Sequence, residues 1–98
     1  MADYEQGSLV RATATFVNAS DVNTDPTTVT VKYRVGSDAA VSKVYGTDAE
    51  VIKSATGIYY IDLTVGTSDG TWYVRWEGTG DVVAAVEASF GVKQSQFD

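Results

Sequence analysis

The chain reads as all-β, a sandwich of about seven antiparallel strands and of immunoglobulin size. Three observations predict this. Apolar residues recur at every second position through most of the sequence, the period of a strand with one buried face. Turn-forming Gly, Asn and Asp clusters interrupt the alternation about every 8–12 residues. The one rival helical segment, Asp48 to Ser54, is too short to stand alone.

Val10, Ala12, Ala14 and Phe16 alternate with Arg11, Thr13 and Thr15 to make the first strand. Asn18 to Pro26 is polar, carries the only proline and reads as a loop. The second strand is the cleanest: Val29, Val31, Tyr33 and Val35 point one way, Thr28, Thr30, Lys32 and Arg34 the other. Val41 to Tyr45 is a short third strand and Glu50 to Lys53 an irregular fourth. Ile58 to Val65 directs Tyr59, Ile61, Leu63 and Val65 inward and Tyr60, Asp62 and Thr64 outward. Thr71 to Glu77 turns Trp72, Val74 and Trp76 into the core, and Gly78-Thr79-Gly80 reads as a hairpin turn that needs positive φ. Val82 to Val92 closes the set with Val82, Ala84, Val86, Ala88, Phe90 and Val92 on the inward side. The predicted core is Val10, Ala12, Phe16, Val29, Val31, Tyr33, Ile61, Leu63, Trp72, Val74, Trp76, Val86 and Phe90. The fold class is therefore an immunoglobulin-like β-sandwich, with an SH3-like or oligonucleotide-binding barrel as the structural alternative. Residues 1–98 form a single domain, with a short polar N-terminal arm (1–7) and a polar C-terminal tail (93–98).

Composition excludes whole classes of chemistry. The 98 residues contain no Cys and no His, so disulfides, cysteine-ligated zinc and Ser-His-Asp or Cys-His nucleophiles are absent. An enzyme built on this chain would work with carboxylates, and none is expected. Surface scaling allows about 64% of the unfolded chain's surface to be buried, enough for a core without staples. Seven Lys and Arg against thirteen Asp and Glu leave a net charge of -6, which repels nucleic-acid phosphates. The longest uninterrupted apolar run, Val82 to Val86, is far too short to span a bilayer. The first seven residues lack the basic and apolar regions of a signal peptide. The expectation is a soluble protein made in the cytoplasm, without nucleic-acid or membrane partners.

Three groups of side chains are candidate sites. Asp21, Asn23 and Asp25 alternate in the loop as do the first ligands of a calcium loop, but Pro26 and Lys32 stand where Gly and Glu would be required; turn-stabilising Asx residues are the simpler reading. Glu77, Asp81 and Glu87 lie about the last hairpin, where Glu77 facing Glu87 would make a glycosidase-like carboxylate pair. Arg75 beside Glu77 and opposite Glu87 makes a cross-strand charge pair the better account. Tyr60, Tyr73 and Arg75 face outward by alternation and are residue types enriched at protein interfaces. They form the candidate interface, with no catalytic, cofactor or metal site expected.

Four segments carry a family resemblance: Asp25-Pro26-Thr27-Thr28-Val29-Thr30-Val31, Gly57-Ile58-Tyr59-Tyr60-Ile61-Asp62-Leu63, Gly70-Thr71-Trp72-Tyr73-Val74-Arg75-Trp76-Glu77-Gly78-Thr79-Gly80, and Ala84 to Val92. Over roughly residues 7 to 92 the chain resembles the small immunoglobulin-like structural proteins of tailed bacteriophages and prophages. The family often has Gly at the position of Ala88 and near Val22, where this chain departs from it. The resemblance implies a non-enzymatic virion protein that decorates the capsid or forms a fibre base. Its partners would be other virion proteins and copies of itself. A tail-tube or tail-tip position is the alternative within that class. A carbohydrate-binding module, which would need exposed stacking aromatics, is the alternative outside it.

Overall fold

The computed structural model describes residues 2–66, 69–80 and 82–94. Eight strands run in order β1 (Ala2–Glu5), β2 (Leu9–Thr15), β3 (Thr28–Val35), β4 (Val41–Val44), β5 (Val51–Ala55), β6 (Ile58–Thr64), β7 (Gly70–Thr79) and β8 (Ala84–Lys93). They form a five-stranded sheet ordered β1-β8-β7-β3-β4 and a three-stranded sheet ordered β2-β6-β5. Apart from β1, this division matches the G, F, C, C′ and B, E, D sheets of an immunoglobulin-type sandwich. Among the described residues there is no helix, and so none long and apolar enough to cross a membrane.

β3 and β7 make the centre of the larger sheet, paired antiparallel from Thr28 opposite Thr79 to Val35 opposite Trp72. Their alternation sends Val29, Val31, Trp72, Val74 and Trp76 inward to meet Val10, Ala14, Phe16, Tyr59, Ile61 and Leu63 of the facing sheet and its ends. Both indoles are interior, Trp72 at 7% and Trp76 at 2% exposed. Trp72 stacks between Tyr33 and Phe90 at centroid separations of 6.4 and 5.7 Å.

The structure corrects the sequence reading in several places. Among the described residues there are eight strands, and one pairing is parallel: β1 runs alongside the last rungs of β8, Ala2 opposite Phe90 to Glu5 opposite Lys93. The segment expected as a polar arm is thus an edge strand, held by its backbone and by Tyr4, whose ring meets Phe90 edge-on at 5.5 Å. Lys93 belongs to β8 rather than to the tail, and residues 95–98 lie outside the described set. Gly78 and Thr79 continue β7. Gly78 serves close packing there, because a Cβ would stand 2.8 Å from the Pro26 ring and 3.0 Å from that of Phe16. Only Gly80 supplies the positive φ, at 92°.

Three predicted core residues are not fully buried. Tyr33 and Ala12 are half-buried, and Val86 is 41% exposed. Three strands face five, so the larger sheet overhangs, and Ala12 of the smaller sheet borders the gap between β2 and β8. β4 projects on one side, leaving Val41 exposed, and the first half of β8 projects on the other, leaving inward-directed Val86 and Ala88 open beside β2. The expected irregular fourth strand is β5, whose register against β6 shifts between Lys53 and Ala55.

Candidate interaction surface

The outer faces of the two sheets separate the three sequence-predicted residues. Tyr60 lies on the outside of the three-stranded sheet, opposite Thr13 of β2 and Ile52 of β5. The Arg11 guanidinium lies 3.9 Å from the Tyr60 ring centroid and makes two hydrogen bonds to the Asp62 carboxylate, at 2.8 and 3.1 Å. That hydrogen bonding raises the Arg11 pKa and lowers that of Asp62. Tyr60 is therefore half-covered by a self-contained ion pair.

Tyr73 and Arg75 lie together on the opposite side of the molecule, on the outside of the five-stranded sheet. Register places Lys32, Arg75 and Glu87 in one row, and Arg34 beside Tyr73 in the next. Arg75 donates to Glu77 at 2.9 Å and to Glu87, while Lys32 pairs with Glu77 at 3.2 Å. Arg34 makes no ion pair with a described carboxylate; its guanidinium lies 5.1 Å from the centroid of Tyr73, which is 43% exposed. These side chains border a shallow hollow of about 210 Å³. Sequence reasoning missed the Arg34–Tyr73 contact. Alternation turned both residues outward, but which strands neighbour each other is not written in the period.

Glu77 and Glu87 do not face one another. Glu77 is opposite Ala85, and Arg75 is opposite Glu87. Hydrogen bonds from Arg75, then from Lys32, hold the Glu77 carboxyl below its ordinary range. That is the opposite of what a general acid requires. Asp81 lies outside the described residues.

The acidic loop resolves into two structural devices. Asn18 Oδ1 accepts the backbone N–H groups of Ser20 and Val22, at 2.8 and 3.2 Å, around a turn in which Asp21 adopts φ 60°. Asp25 accepts three donors: Lys53 Nζ at 2.6 Å, the Gly57 N–H at 2.7 Å and the Tyr59 hydroxyl at 3.0 Å. Its oxygens thus tie the loop to β5, β6 and the turn between them. Among the described residues no cluster of three metal-ligating side chains forms.

This junction makes stability depend on pH at both ends. Lys53, then the Gly57 N–H, lowers the Asp25 pKa, so its contribution is present above the unfolded carboxylate value and is lost as pH falls through the folded one. Burial, then the bond to Asp25, pushes the Tyr59 phenol from its ordinary 10 up to about 12. Its contribution is complete below the unfolded value and disappears as pH rises through the folded one. In a spectrophotometric titration, Tyr59→Phe should remove the phenolate absorbance that develops near pH 12. An unchanged curve at that end would contradict the buried hydrogen bond.

No protein-family model, curated protein or solved structure matches the chain.

Proposed function

We propose that this sandwich is a non-enzymatic structural module of a tailed-bacteriophage virion, attached to the capsid as a head decoration or fibre-base domain. Two things support the reading. The family resemblance centred on Gly70 to Gly80 supplies the virion context. The observation that carries a binding role is the outer face of the five-stranded sheet, where Tyr73 stands exposed against Arg34 and next to Arg75. Tyr and Arg are the types that dominate interface energetics when a partner excludes water from them. A carbohydrate-binding role is less well supported, because both indoles, the best stacking groups for a sugar ring, are buried.

The test is a mass-spectrometric copy count on purified particles. A capsid or tail-tube position gives on the order of hundreds of copies per particle, set by the symmetry of the assembly. A few copies would move the protein to the tail tip, and none would remove the virion reading. Tyr73→Ala should lower the copy number while changing stability by no more than about 0.5 kcal/mol, as expected of an exposed position.

A further inference from the structure

β8 has a stretch of edge that no described strand pairs. β1 covers β8 only from Phe90 to Lys93, so the outward backbone groups of residues 84–88 have no strand partner among the described residues. Sheet edges are usually protected by short strands, bulges or charges. β4 is four residues long and carries Lys43, and β5 is broken by its register shift beside Lys53. Ala84 to Ala88 has no Pro, no Lys and an unbroken register with β7. Its one charge, Glu87, is bound by Arg75.

β2 borders the same groove, but its inward Val10 and Ala14 are already buried. A strand added there would gain hydrogen bonds and cover only the half-buried Ala12. At β8 it would cover more exposed apolar side chains: Val86 is 41% and the adjoining Val83 82% exposed, and Ala88 is open.

We propose that Ala84–Ala88 pairs antiparallel with the same segment of a second copy, about a two-fold axis through Val86. The two large sheets then become one continuous sheet. The register follows from charge and size. With both concave faces on the same side, the axis must pass through a residue pair. Through Glu87 it would oppose two carboxylates, and through Ala85 it would set Val83, outside the strand, against Glu87. Through Val86, Ala84 meets the second copy's Ala88, Glu87 lies over the second copy's Ala85 and keeps Arg75, and the two Val86 side chains meet. Two chains of net charge -6 thus meet along a segment with no unpaired charge. The length fits as well, because β1 of each copy occupies the rungs beyond its own residue 89. A segment of this length spans roughly 17 Å, so the contact is small and its association weak.

The test exploits the absence of native cysteine. Opposed antiparallel residues have Cα atoms about 4.5–5.5 Å apart, within disulfide reach. The two Ala84 positions would be separated by roughly 14 Å along the strands. Under mild oxidation Val86→Cys should form a covalent dimer and Ala84→Cys should not. Sedimentation of the unmodified protein should show a concentration-dependent dimer up to about 1 mM, where a complex with a Kd of that order is substantially populated. Val86→Lys should abolish that dimer with the circular dichroism and melting temperature retained. The proposal is overturned if Val86→Cys stays monomeric while its thiol reacts freely with a soluble reagent. It is equally overturned if both cysteines cross-link alike, or if the dimer survives Val86→Lys. The inference is independent of the virion reading, which the particle copy count tests separately.

Discussion

Replacing Trp76 by Ala should lower the free energy of unfolding by about 3–5 kcal/mol, the range for emptying a buried large aromatic site. The indole is 2% exposed and lies midway along β7, opposite Val31 of β3 and Val86 of β8. It therefore fills the layer between the sheets. Small domains have only about 5–15 kcal/mol in total, so the variant should unfold at much lower urea with a similar denaturant slope. A midpoint shift worth less than about 0.5 kcal/mol, the scale of a surface change, would contradict the packing described here.

Gly57→Ala should be strongly damaging for a single added methyl. Thr56 and Gly57 form the two-residue turn between β5 and β6, and Gly57 holds φ at 75°. A Cβ there would stand 2.6 Å from the Phe16 carbonyl oxygen and 2.8 Å from the Thr24 nitrogen. Both are backbone atoms and cannot rotate aside. The left-handed conformation alone costs a non-glycine residue about 1–2 kcal/mol; relieving the collision must add to that. It would also displace the Gly57 N–H from Asp25. Gly46→Ala provides the control, since Gly46 has φ 89° but open space around it. Urea unfolding should rank Gly57→Ala well below Gly46→Ala, and equal losses would remove the steric part of the argument.

The strands whose two faces meet different environments were legible in the sequence. β3 runs from Thr28 to Val35 as its alternation indicates, because Val29 and Val31 enter the core while Lys32 and Arg34 meet solvent. β8 alternates just as regularly, yet Val86 is open. Period two states which way a side chain points but not whether another sheet lies over it. β1 offered four residues and one aromatic; its parallel pairing joins positions almost ninety residues apart, which no local pattern encodes. Gly78 looked like a turn residue because glycine has two uses, and close approach to Pro26 and Phe16 is indistinguishable from positive φ in a sequence.

The same distinction holds for the surface. The bonds of Arg75 to Glu77 and Glu87 followed from spacing within a hairpin. The separation of Tyr60 from Tyr73 did not, since alternation cannot assign a strand to one sheet or the other. Nor could it show that Asp25 binds a backbone N–H 32 positions away.

The side-by-side course of β1 and β8 has a mechanical consequence. Because they are parallel, tension that draws the N-terminal end and the C-terminal end apart slides one along the other. All four rungs from Ala2–Phe90 to Glu5–Lys93 must then give way together, whereas a hairpin pulled open at its tip loses its bonds singly. A domain strung between two anchors would resist stretching through this short patch, with Tyr4 against Phe90 as its bolt.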